Sequence, residues 1–138
     1  MQGTGQSLSN SPRRAGLRLA IVRATIGVFP AYSMNRTRLL ALMACGVRVG
    51  RGTLFWGMPQ ISGGAMSRLQ IGAMCGFNDG CEFDLGGMVR IGDHVSAGHE
   101  VRFLTSSRAD GQRGAAPIAV GDGAWLAARC TVLGGVTI

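Results

Sequence analysis

From Val47 onward the apolar residues fall at every sixth position, a spacing that neither an amphipathic helix nor a simple alternating strand produces. The beats are Val49, Phe55 and Ile61, then Ile71, Phe77 and Phe83, then Ile91, Ala97 and Phe103, then Val120, Leu126 and Val132, with Ile138 next in line. The frame slips only after every third beat. Gly follows the beat at Gly50, Gly72, Gly92, Gly98 and Gly121, where a corner calls for permissive backbone angles. Four places after it the residues are small or compact: Thr53, Cys75, Cys81, Val95, Val101, Ala124, Cys130 and Val136. Val47, Leu69, Val89 and Ile118, two places before each set, are apolar as well, as an alternating strand with one inward face requires. The pattern predicts an all-β fold: a prism of about four triangular coils, three short strands to a turn, with the beats inside and backbone pairing between successive coils.

Ahead of the prism the period is helical. A short amphipathic helix is expected over about 15–28 and another over 35–44, with Asn35 as cap and Gly46 as stop. The division is thus a disordered tail over 1–14, a helical segment over 15–46 and the repeat domain over 47–138. The run from Leu17 to Val28 is broken by Arg18 and Arg23, too short and too charged to span a membrane. At the far end the chain stops in mid-pattern, as if a further coil were expected.

Composition narrows the reading. A chain of 138 residues holds one domain with a modest core, and 46% apolar against 15% charged residues excludes a solvated disordered polymer. All 14 basic residues are arginine, and residues 1–78 carry nine of them with no acid. That front is either a basic solvated lead-in or a weak contact for an anionic membrane surface. No aromatic-rich RNA-binding strand, helix-turn-helix pattern or zinc-finger spacing accompanies it, so no nucleic-acid partner is expected. The four cysteines lack metal or redox spacing, and three of them fill the small inward slot, so a reducing cytoplasm is the natural compartment.

The repeat [Ile/Leu/Val]-Gly-x-x-x-x resembles that of the hexapeptide-repeat acyltransferases, whose coils form a left-handed parallel β-helix. It is most similar to the maltose/galactoside and polysaccharide O-acetyltransferases. The likeness spans about residues 46–138 and rests on four stretches: Ile71-Gly72 through Phe77-Asn78-Asp79-Gly80-Cys81, Val89 to Val95, Gly98-His99-Glu100-Val101-Arg102-Phe103-Leu104-Thr105-Ser106-Ser107, and Ile118 to Leu126. It implies a homotrimer in which acetyl-CoA and a sugar or polysaccharide acceptor meet in clefts between neighbouring prisms. The chemistry then needs a general base for the acceptor hydroxyl and donors for the developing oxyanion.

In that family the base is a His directly after the Thr-x-x triplet, but here Thr105-Ser106-Ser107 is followed by Arg108, which stays protonated and cannot act as an ordinary base. His99, in a Gly-His-Glu motif, is either a substitute base or a residue of the coil surface, and His94 is the weaker candidate. Two histidines fall short of the three-His zinc site of the γ-class carbonic anhydrases that share the fold, so no metal is expected. Asn78 matches a family Asn near the acceptor hydroxyl and reads equally as a turn residue. Asp79, Glu82 and Asp84 are either acceptors for sugar hydroxyls or solvated strand-face carboxylates. By resemblance, Trp125, Ala127 and Gly134 border the acyl-CoA cleft. Arg108 or Arg113, in the long excess between Phe103 and Val120, suits a CoA phosphate or an anionic acceptor. Three functions stay open: an O-acetyltransferase, a catalytically degenerate or truncated homologue serving as scaffold or partner subunit, or an anionic-surface binder that uses the front-half arginines.

Overall fold

The computed structural model describes residues 35–109 and 114–138, together with Ala20. The tail over 1–14, the helix over 15–28 apart from Ala20, and Arg113 lie outside the described residues. In chain order the elements are α1 (Asn35–Ala44), β1 (Arg48–Val49), β2 (Leu54–Phe55), β3 (Gln60–Ser62), a 3-10 turn (Met66–Arg68), β4 (Leu69–Ile71), β5 (Gly76–Phe77), β6 (Glu82–Asp84), β7 (Val89–Ile91), β8 (Ser96–Ala97), β9 (Arg102–Arg108), β10 (Ile118–Val120), β11 (Trp125–Leu126) and β12 (Thr131–Gly134).

Every third strand stacks on the last. The three sides of the column are four-stranded parallel sheets, ordered β1-β4-β7-β10, β2-β5-β8-β11 and β3-β6-β9-β12. Their register is the sixfold beat. Val49, Ile71, Ile91 and Val120 pair up the first side; Phe55, Phe77, Ala97 and Leu126 up the second; Ile61, Phe83, Phe103 and Val132 up the third. Because side chains alternate along a strand, a beat that points inward in one coil does so in all, and a slip of one residue would turn the core to solvent. Inside, Phe55 and Phe77 stack with ring centroids 4.9 Å apart, Phe83 and Phe103 at 4.8 Å, and Phe77 meets Phe83 edge-on at 5.8 Å. Pairs of this kind add about 0.5–1.5 kcal/mol beyond their buried area.

The corners differ from expectation in one respect. The glycines directly after the beat do not carry the left-handed backbone; the residues two places later do. Gly52, Met74, His94 and Gly123 have φ of 75, 56, 57 and 73°, and on the next corner Gly80, Glu100 and Arg129 have 79, 57 and 64°. Gly50 is needed for a different reason: a Cβ there would strike the backbone of Gly72 and Ala73 in the coil above. Close approach between coils selects glycine at that place. Asp93 and Asp122 complete the first corner, each Oδ1 accepting a backbone N–H of the coil below, from Ala73 and Asp93, at 2.7 Å.

Helix α1 is stitched to the first coil. Asn35, expected as a cap, has its Oδ1 accepting the Phe55 N–H at 2.7 Å. Arg38, only 2% exposed, donates from Nη1 to the Trp56 carbonyl at 3.4 Å, and Leu42 is fully buried. Gly46, with φ of 104°, ends the helix. At the other end Thr137 bridges Ala119 and the Gly121 N–H reaches the Ile138 carbonyl at 2.7 Å, so the chain is back on the first side as the pattern requires.

Candidate active site

The longest strand leads into the long excess. β9 pairs with β12 through Arg102↔Thr131, Phe103↔Val132 and Leu104↔Leu133, after which the register shifts and the backbone of Arg108 meets Gly134. Thr105, Ser106 and Ser107 therefore bulge from the ladder. Thr105 is fully buried, and its Oγ1 donates to the Asp84 carbonyl and accepts the Gly87 N–H, both at 2.8 Å. The Asp84 carboxylate accepts the Ser106 N–H on Oδ2 at 2.7 Å and the Gly86 N–H on Oδ1 at 3.1 Å. Burial opposes its ionisation, but the hydrogen bonds from Ser106, Gly86 and Thr105 outweigh that and hold the carboxyl below its ordinary range.

The returning limb is tied to the same base. The Ala116 N–H donates to the Thr105 carbonyl at 2.9 Å and the Ile118 N–H to that of Met88 at 2.9 Å. Gly134 lies buried between the two limbs: a Cβ there would sit 2.5 Å from the Thr105 oxygen and 2.9 Å from that of Ala116. Its bare Cα accommodates its own chain.

The remaining candidates sit elsewhere. At the corner between the second and third sides, the register stacks Asn78, Gly98 and Ala127 in one row and Asp79, His99 and Ala128 in the next. Asn78 is half-buried, with Nδ2 donating to the Ala97 carbonyl at 3.3 Å. The Asp79 carboxylate lies over Gly57 in the coil below. His99 is exposed, and its carbonyl accepts the Arg129 N–H at 2.8 Å. Glu82 pairs with Arg102 at 2.8 Å on the outward face of the third side. Trp125 projects from the second side, 75% exposed, and Ala127 is exposed close by in sequence. His94 stands exposed at its left-handed corner.

One column therefore does not bring the candidates together. Asn78, His99 and Ala127 border one edge of the third side, while Thr105, Arg108 and Gly134 mark the other. Between them runs β9, up to roughly 20 Å long at about 3.3 Å per residue. Sequence reasoning missed Thr105 as an anchor, although alternation from Phe103 points it inward, where a hydroxyl needs partners. Cys75, Cys81 and Cys130 are not nucleophile candidates: burial pushes Cys81 up to about 11 and raises Cys75 and Cys130. Among the described residues no group of three or more His, Cys, Asp or Glu could hold a metal ion, and no helix is long and apolar enough to cross a membrane.

No family model and no curated protein matches the chain. Among solved structures it is similar to a crystal structure of a hexapeptide-repeat-containing acetyltransferase from Vibrio cholerae O1 biovar eltor, complexed with acetyl coenzyme A. The TM-score is 0.71 at 19% sequence identity, covering 99% of this chain and 74% of that one. The likeness defines the fold. The column is the left-handed parallel β-helix of hexapeptide-repeat acetyltransferases, mostly β with three parallel sheets of four strands.

Proposed function

We propose that this protein is an acetyltransferase that moves the acetyl group of acetyl-CoA to a hydroxyl of a sugar or polysaccharide precursor, working as a homotrimer in the cytoplasm. The observation that carries the reading is the division of its polar candidates between the two edges of one rigid side, in a fold shared with a solved structure that holds acetyl-CoA. A second column laid against the first would bring opposite edges together, which is where a cleft for donor and acceptor belongs. The exposed indole of Trp125 offers the pantetheine arm an apolar wall, and the small Ala127 leaves room beside it.

In this reading the acceptor oxygen attacks the thioester carbonyl carbon while His99 takes the hydroxyl proton. The tetrahedral intermediate then collapses, the carbon–sulfur bond breaks, and the CoA sulfur leaves with the proton returned by His99. Asn78 orients the acceptor hydroxyl. Arg108 and Arg113 supply fixed positive charge for CoA phosphates or the developing oxyanion. Asp79 and Glu82 accept from sugar hydroxyls. Asp84 has both oxygens on backbone N–H groups, and Gly134 faces its own chain, so both serve the loop rather than the ligands.

Thiol release from acetyl-CoA, followed over a panel of sugars, tests this: native protein turns over and His99→Ala does not. Unchanged turnover in His99→Ala removes that residue as base. A second reading, a degenerate scaffold or partner subunit, is favoured by Arg108 itself; transfer gained only in Arg108→His would establish it. The acid-free arginine front supports weak binding to anionic vesicles, which must vanish in high salt if its origin is electrostatic.

A further inference from the structure

The geometry points to Asp84 as the positioning residue of the proposed transfer: by accepting Ser106 N–H and Gly86 N–H on separate oxygens, it sets the path of the Ser106–Ser107 bulge that leads the strand to Arg108, where pairing with Gly134 resumes. The inference rests on the acetyl-transfer reading for its catalytic consequence, and on the structure alone for its mechanical one.

The need for an acceptor arises from the bulge. Up to Leu104 the strand is in register with Asp84 below and Leu133 above; beyond it the pairing jumps to Arg108 and Gly134. Ser106 thus lies outside the ladder, and the Asp84 oxygen at 2.7 Å stands in for the missing strand partner. The second oxygen, on Gly86, turns the carboxylate so that the first faces Ser106. Only a carboxylate serves both donors. An Asn in its place has one acceptor oxygen and would set its NH2 against the other N–H.

The turn that carries Asp84 is itself held from two directions. Arg68 donates from Nη1 to the carbonyls of Leu85 at 3.0 Å and Gly86 at 2.5 Å, from the preceding coil. Thr105 ties it from the following coil, through the Asp84 carbonyl and the Gly87 N–H. A continuous set of hydrogen bonds therefore runs from Arg68 through the 84–87 turn to Ser106, and through Thr105 to Ala116 on the returning limb. Both feet of the loop stand on it. Catalytic groups lose rate steeply when displaced by about an ångström, so this base controls where Arg108 is delivered.

Asp84→Asn tests the assignment, read by amide hydrogen exchange and by steady-state kinetics. Exchange at Ser106 and Ala116 is expected to quicken by about tenfold or more, with the amides of β4–β8 unchanged. In kinetics, with Arg108 serving the developing oxyanion rather than a CoA phosphate, kcat falls by about tenfold or more while the KM for acetyl-CoA stays within about twofold, a split that general destabilisation would not give. Thr105→Val, which keeps the buried volume but removes the hydroxyl, produces the same pattern and serves if Asp84→Asn does not fold. Unchanged exchange at Ser106, or loosened exchange with kcat intact, overturns the proposal. If the native protein transfers no acetyl group, the acetyl-transfer reading fails, and exchange alone decides whether Asp84 sets the loop.

Discussion

Phe83 and Phe103 stack at 4.8 Å because equivalent positions of successive coils are one strand spacing apart, itself about 4.8 Å. The repeat therefore yields ring contacts without further adjustment, and both side chains are fully buried. Phe103→Ala should lower stability by about 3–5 kcal/mol in urea unfolding, since the rigid coils on either side cannot collapse into the space. Cys81 occupies the other kind of inward slot. With its thiol pushed up to about 11 by burial, it should resist iodoacetamide at pH 8 in the native state and react once unfolded; native labelling would mean that the column opens. Asp84 adds a pH signature. Its carboxyl is held below the unfolded value of about 3.9, so its contribution to stability is present above that pH and is lost as acid protonates the folded form. The stability difference between native protein and Asp84→Ala should accordingly shrink on acidification through that range, and a difference that stays constant would mean the charge contributes nothing.

The corner is where local strain concentrates. His94 is held at φ of 57°, while Gly52 and Gly123 hold the same corner in the first and fourth coils. The left-handed conformation costs an ordinary L-residue about 1–2 kcal/mol. Glycine loses more chain entropy on folding, which returns about 0.5–1 kcal/mol of that. His94→Gly is therefore expected to raise stability by up to about 1 kcal/mol in thermal unfolding and to leave acetyl transfer unchanged; lost transfer would reinstate His94 as a site residue. The strands were legible in advance, because Ile71, Ile91 and Val120 must all face inward at one register and the beat records that need directly. The corners were less so. Met74, His94, Glu100 and Arg129 carry the left-handed turn without being glycine, and the glycines that stand out answer to contact between coils. Outward residues obey no beat at all. The part played by Asp84 depends on a register shift in a strand one coil away, which no spacing around Asp84 itself encodes.

Across the whole molecule the three outer faces differ, and the difference bears on assembly. The first side carries Arg48, Gln70 and Arg90 in register, and the third carries the Glu82–Arg102 ion pair. The second side carries Leu54, Gly76, Ser96 and Trp125 in register, with no charge, Leu54 37% exposed and Trp125 75% exposed. Among the described residues nothing lies within 4 Å of where a Cβ on Gly76 would sit. A flat, rigid, uncharged strip that ends in an exposed indole suits the face of another column better than it suits water. Light scattering is expected to give three copies per particle, and dilution should shift tryptophan emission to longer wavelength as Trp125 returns to solvent. Leu54→Glu carries the decisive test because it puts a charge into the strip three strands away from Trp125, the one residue of the strip assigned to the donor. The variant should be monomeric, with the far-ultraviolet circular dichroism of the native fold, and should have lost acetyl transfer, since the two edges that carry His99 and Arg108 would no longer meet. A monomeric Leu54→Glu that turns over at the native rate would mean that one column holds a complete site, and the division of candidates along β9 would then need another explanation.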